Sequence, residues 1–223
     1  GATLTDGFTV SYWTRLTDEN LWDCLFSFFN PLSQARLYMT GNAYVGYNNN
    51  TGNWIDLNHP STVTTGYLNA GKWAFVTMTV SRTDGVKLYV DGSQKNISAV
   101  AGSQNGTSIT TKAQFDYNEL VDFVASCSNM YLGYGSFWGS AEASFDDLLV
   151  FNRVLTRTDV RALNMAANRE HNFTPTGIVA PIANRRATAD PKVYNLQGQC
   201  VGLSLSGLHP GVYVQNGKKY VVK

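Results

Sequence analysis

The sequence predicts an all-β protein: a β-sandwich with one short late helix and a small β unit at its C-terminal end. Three observations carry this. Apolar and aromatic residues alternate with polar ones along several short stretches, the period of two that gives a strand one buried face. Asp-Gly and Asn-Gly pairs punctuate those stretches and supply the positive φ that tight hairpins require. The composition agrees, with 12 Tyr, 11 Phe and 5 Trp beside 20 Gly in 223 residues, a balance that favours sheet over helix.

The elements follow in order. "GFTVSYWTRL" (7–16) sets Phe8, Val10 and Tyr12 against Thr9, Ser11 and Trp13. "LFSFFN" comes next, then "ARLYMTGNAYVGYNN", a hairpin turning at Gly41-Asn42. Asn and Gly fill 46–53, which reads as a surface loop. In "KWAFVTMTVSRTDGVKLYVDGSQ" (72–94), Trp73, Phe75, Thr77 and Thr79 point one way and Ala74, Val76, Met78 and Val80 the other. Asp84-Gly85 makes the turn, Val86, Leu88 and Val90 alternate on the return strand, and Asp91-Gly92 ends it. Residues 96–118, rich in Ser, Thr, Gly, Asn and Gln, read as a loop with a short strand. "NMYLGYG" and "SFDDLLVFN" are two further strands.

The period then changes. "LTRTDVRALNMAANREH" reads as a helix, with Thr156 as N-cap and Asp159 returning a hydrogen bond from the first turn. Val160, Leu163 and Ala167 form its apolar stripe, and His171 complements its C-terminus. Residues 173–191 lack periodicity and read as a linker. "KVYNLQGQCVGL" and "GVYVQNGKKYVVK" form the small terminal unit, turning at Gln197-Gly198 and Asn216-Gly217. The expected division is therefore a sandwich at 1–172, a linker at 173–191 and a β unit at 192–223.

Composition also excludes function classes. A net charge of +1 offers no electrostatic basis for nucleic acid or an anionic membrane, and no apolar stretch is long enough to insert in a bilayer. Cys24, Cys127 and Cys200 are spaced for neither a zinc site nor a disulfide framework. Cys24 reads as a buried thiol, with a Cys24–Cys127 disulfide as the alternative. His59, His171 and His209 each stand alone, so a transition-metal site is not indicated.

Phe8, Thr9 and Trp13, then Trp73 and Tyr89 to Gly92, then Asp146, Asp147 and Asn152 to Thr156 carry a pattern. It resembles the laminin-G-like branch of the concanavalin A-like lectin/glucanase superfamily over roughly 7–168. Members of that family carry strands ahead of the Phe-Thr-x-x-x-Trp segment, on which this chain almost opens. Either those strands lie elsewhere in a parent protein or one sheet has an unusual edge. In the tail, Tyr194, Gly198, Val201, Leu208, Gly211, Tyr213, Gly217 and Lys218 resemble the type-A sorting domains of exported Bacteroidetes proteins. That resemblance implies a cell-envelope, cell-surface or secreted location.

A retaining glycosidase needs carboxylates about 5 Å apart. The Glu-x-Asp-x-x-Glu signature of the related glucanases is absent. Glu142, Asp146 and Asp147 have the wrong spacing, and Asp146 and Asp147, being adjacent on a strand, face opposite ways. Glu119 and Asp122 are the remaining acidic candidates. The resemblance also implies one calcium ion at a sandwich rim with Asp146 as ligand; alternatively Asp146 or Asp147 caps a turn or pairs with Arg153 or Arg157.

Sugar recognition has a clearer basis, since rings stack on pyranoside faces and amides or carboxylates read hydroxyls. "AYVGYNNNTGNWIDLNHP" offers Tyr44, Tyr47, Trp54 and Asp56, and "GYGSFWGS" offers Trp138. Trp54 and Trp138 covering the core's edge is the competing reading. The expectation is a non-catalytic carbohydrate-binding module of an exported bacterial protein, its partner a glycan or a cell-surface protein. A protein-interaction or adhesion domain is the alternative, and a degenerate glycoside hydrolase the third reading.

Overall fold

The computed structural model describes residues 3–41, 44–64, 66–135, 139–171, 192–196, 198–216 and 218–222. In chain order the strands are β1 (Gly7–Leu16), β2 (Cys24–Phe29), β3 (Arg36–Thr40), β4 (Val45–Asn48), β5 (Trp54–Leu57) and β6 (Ala74–Ser81). There follow β7 (Gly85–Val90), β8 (Ser93–Lys95), β9 (Val100–Gln104), β10 (Thr107–Ile109), β11 (Met130–Leu132) and β12 (Ala143–Phe151). Helix α1 (Tyr117–Ser126) precedes β11 and α2 (Arg157–His171) follows β12. The chain divides into two compact units, residues 1–172 and 173–223.

The first unit is a sandwich of two antiparallel sheets, ordered β12-β1-β6-β7-β8 and β10-β9-β5-β4-β3-β2-β11. The alternation expected of β1 is present: Phe8, Val10 and Tyr12 turn inward and join Val76, Met78 and Val80 of β6 and Val86, Leu88 and Val90 of β7. Phe26, Phe28, Leu37, Met39, Val45, Tyr47, Ile55 and Leu57 meet them from the seven-stranded sheet. Each such side chain contributes about 1.5–3 kcal/mol by leaving water. The β6–β7 turn needs Gly85, whose φ is 68°; a Cβ there would stand 2.5 Å from the Tyr117 ring.

Helix α2 covers the outer face of the five-stranded sheet. Thr156 and Asp159 cap it reciprocally: the Thr156 amide donates to Asp159 Oδ2 at 2.9 Å and the Asp159 amide to Thr156 Oγ1 at 3.2 Å. Ala167 and Leu163 pack on Trp13 and Phe75, and Val160 and Leu155 on Tyr89. His171 lies on the last turn of α2, and its side chain is outside the described residues.

Two expectations need correction, and a third, on the cysteines, is met. The segment read as a loop with a short strand holds β9 and β10, and α1 follows directly. Asp116 caps α1 by accepting from the Asn118 amide, and Tyr117, Leu120, Val121 and Val124 bury one face of it. The cysteines are free and Cys24 is the buried thiol expected, not the disulfide alternative; burial pushes its pKa up to about 12. Finally, Asp147 does not sit in regular alternation. It takes φ 46° where the β1–β12 register shifts between Ser11 and Trp13, a bulge.

The second unit contains β13 (Val193–Asn195), β14 (Cys200–Gly202), β15 (Gly211–Gln215) and β16 (Lys218–Val222), ordered β14-β13-β15-β16. Gly198 and Asn216 take φ 78° and 54° at its turns. The linker expected at 173–191 lies outside the described residues.

Candidate functional site

Register decides which side chains of the seven-stranded sheet face outward. Ser27 pairs with Tyr38, Tyr38 with Gly46, Gly46 with Asp56, and Asp56 with Ala101. This row lies on the face away from the core. Gly46 is required in it, because a Cβ there would stand 2.3 Å from the Tyr38 hydroxyl. Tyr38 and Tyr44 share a hydroxyl–hydroxyl hydrogen bond of 2.6 Å, and the Tyr44 hydroxyl donates to Asp56 Oδ1 at 2.9 Å. The His59 ring packs edge-on against Tyr44 at 5.0 Å and against Trp22 at 5.2 Å.

Asp56 and His59 line a cavity of about 330 Å³ with Thr62, Ser98, Ala101 and Thr110 among its other walls. The carboxylate of Asp56 is the one acid in that lining. Burial raises its pKa, offset by the Tyr44 hydrogen bond and by the charges of His59 and Arg36. Oδ1 is engaged by Tyr44, which leaves Oδ2 as an acceptor for a ligand hydroxyl.

Trp54 stands two residues before Asp56 on the same face of β5 and is half-buried. Of the expected sugar-binding residues, these two are brought together. Tyr44 is 1% exposed and touches the site from behind, through its hydroxyl. Tyr47 is corrected: it pairs with Ile55 rather than Asp56, which turns its ring into the core at 2% exposure. No sugar can stack on it. Trp138 lies outside the described residues.

Tyr47 instead donates to Glu119 Oε1 at 3.1 Å. Glu119 also accepts from Asn49 at 2.6 Å, Asn53 at 2.7 Å and Gln104 at 3.2 Å. It clamps the Asn-rich loop that leads into Trp54. Asp122, the other acid of that segment, pairs with Arg82 at 2.6 Å. The two therefore form no opposed pair of acids.

Asp146 is exposed, and its Oδ1 accepts from the Asp147 amide at 2.8 Å. Calcium takes six to eight oxygen ligands. Among the described residues no group of three or more His, Cys, Asp or Glu could hold a metal ion; a rim site built on Asp146 would draw its remaining oxygens from backbone carbonyls and water. Of the two arginines expected as alternative partners, Arg153 and Arg157, Arg153 pairs with Asp159 at 3.3 Å. Sequence reasoning missed Trp22, Arg36, Tyr38 and His59. They reach the site from separate strands and loops, and no local pattern links them.

Residues 1–161 match a family model described as the concanavalin A-like lectin/glucanases superfamily. No curated protein matches the sequence. Among solved structures, the binding domain of botulinum neurotoxin DC in complex with rat synaptotagmin II is 17% identical, with 72% of this chain and 36% of that chain covered and a TM-score of 0.40. Domain 4 of AbnA, a GH43 extracellular arabinanase from Geobacillus stearothermophilus in complex with arabinotriose, is 17% identical over 71% of this chain and 66% of that one, with a TM-score of 0.45. The native heptameric SAP-like pentraxin from Limulus polyphemus is 16% identical over 71% and 70%, with a TM-score of 0.39. The chain thus spans little more than a third of the neurotoxin chain's length.

Proposed function

Because the chain belongs to the concanavalin A-like lectin/glucanases superfamily through residues 1–161, we propose that it is a non-catalytic module that binds carbohydrate at Trp54 and Asp56. One observation carries this. A partly exposed indole and a partly buried carboxylate project from the same face of β5, and the carboxylate lines a sugar-sized cavity. The ring stacks on the apolar face of a sugar, and Asp56 accepts from its hydroxyls. A single acid in that lining supports binding over hydrolysis, which needs two.

The tail resemblance in Tyr194, Gly198, Gly211 and Tyr213 supports an exported, envelope or surface-bound bacterial protein. The test of binding is electrophoresis through gels containing polysaccharide, with wild type, Trp54→Ala and Asp56→Ala. Retardation that both substitutions abolish is expected. No retardation, or retardation indifferent to both, removes the site.

A second reading, docking of a protein partner, is favoured by β12. That strand ends its sheet among the described residues and exposes Leu148, Leu149 and Val150 at 40%, 36% and 55%. Val150→Lys would abolish such docking and leave sugar retention intact.

A further inference from the structure

We infer that the site takes the terminal unit of a glycan end-on, with the penultimate unit on Trp54, rather than an internal stretch of chain. This rests on the carbohydrate-binding reading above. Seven strands at ~4.8 Å span about 30 Å, room for a polysaccharide to lie across several units if the whole face were open.

Half of it is closed. Ser27 is 1% exposed, Tyr38 7% and Arg36 8%. The Tyr38 ring lies on Gly46, and the backbone at Tyr134 and Gly135 folds over β2, where Ser27 donates to the Tyr134 carbonyl at 2.7 Å and Gly135 sits on Cys24. Along the row from Ser27 to Ala101, solvent is reached at Asp56, and Ala101 is exposed. The edge-on rings of Trp22, His59 and Tyr44 stand at that boundary. The cavity beyond them, about 330 Å³, is at the bottom of the roughly 300–1,000 Å³ range of small-molecule sites. Trp54, outside the residues that line the cavity, lies ~6.8 Å along β5 from Asp56, about one sugar unit away, which is where the inferred penultimate unit would rest.

End-on binding fixes the stoichiometry. Calorimetry would use unbranched cello-, xylo- and arabino-oligosaccharides of increasing length, and the matched polysaccharides. The expected result is one protein per chain whatever its length, with affinity level beyond two units. Asp56→Ala should weaken binding of every length at least tenfold. Trp54→Ala should weaken disaccharides and longer chains but not the monosaccharide. Ala101→Phe, made at an exposed position, should block the cavity without depending on the fold tolerating loss of Asp56. Protein bound per chain rising with chain length would overturn the end-on inference while leaving carbohydrate binding standing. Binding to no member of the panel would overturn both.

Discussion

Replacing Glu119 with alanine removes an acceptor shared by four donors: Tyr47, Asn49, Asn53 and Gln104. Asn49 and Asn53 sit in a loop that water reaches, so each loses well under 1 kcal/mol. Gln104 keeps the Asp116 carbonyl at 3.1 Å. The Tyr47 hydroxyl belongs to a side chain 2% exposed and has no substitute partner, at a cost of about 1–3 kcal/mol. The total is about 2–4 kcal/mol. In a unit of 172 residues, each kcal/mol moves the melting midpoint by about 2–4 °C, so a fall of roughly 4–16 °C is expected by calorimetry. The control is Asp122→Ala, which removes an ion pair whose acid is 67% exposed and costs under about 1 kcal/mol. Equal falls for the two variants would refute the clamp. So would a Glu119→Ala protein that melts like wild type.

Three further outcomes are expected. Gly46→Ala drives a methyl into Tyr38 and costs about 1–3 kcal/mol, read by urea titration; a neutral result would mean Tyr38 swings aside freely. Burial holds Asp56 above its ordinary 3.8, so the stability it contributes is complete below that value and is lost as pH rises through the raised one. Asp56→Asn, which cannot ionise, should therefore gain on wild type across that interval in melts at stepped acidic pH. A loss there instead would mean that Arg36 and His59 outweigh burial. Calcium and excess chelator should leave the melting midpoint within about 1 °C of each other; a rise of several degrees with calcium, lost in Asp146→Ala, would make Asp146 a ligand.

The parts of the fold legible in the sequence are those where period and punctuation agree. β1 alternates strictly, the β6–β7 hairpin has Asp84-Gly85, and α2 has both its capping pair and its stripe. Helix α1 was hidden because it is short and a polar segment precedes it; Asp116 followed by Tyr117, Leu120, Val121 and Val124, an i, i+3, i+4, i+7 stripe, was the available signal. The candidate site divides the same way. Trp54 and Asp56 are two apart on one strand, and the shared face follows from that spacing alone. Tyr47 was misassigned because a strand slipped by one residue presents its other face, and the Asn and Gly residues around it do not mark which face is apolar. Nothing in the order of residues announces that Trp22, Tyr38 and His59 converge, since a sheet row is assembled across strands.

The place of β1 in its sheet has a kinetic consequence. It lies between β6 and β12, pairing Thr9 with both Thr79 and Phe151, and its Thr9 hydroxyl reaches the Arg153 carbonyl across a separation of 144 residues. At about 5–20 residues per second of synthesis, a nascent chain waits roughly 7–30 s between the emergence of β1 and that of the end of β12. Loop closures of that length slow folding, and β1 stays open on one side throughout, a target for chaperones and for neighbouring chains alike.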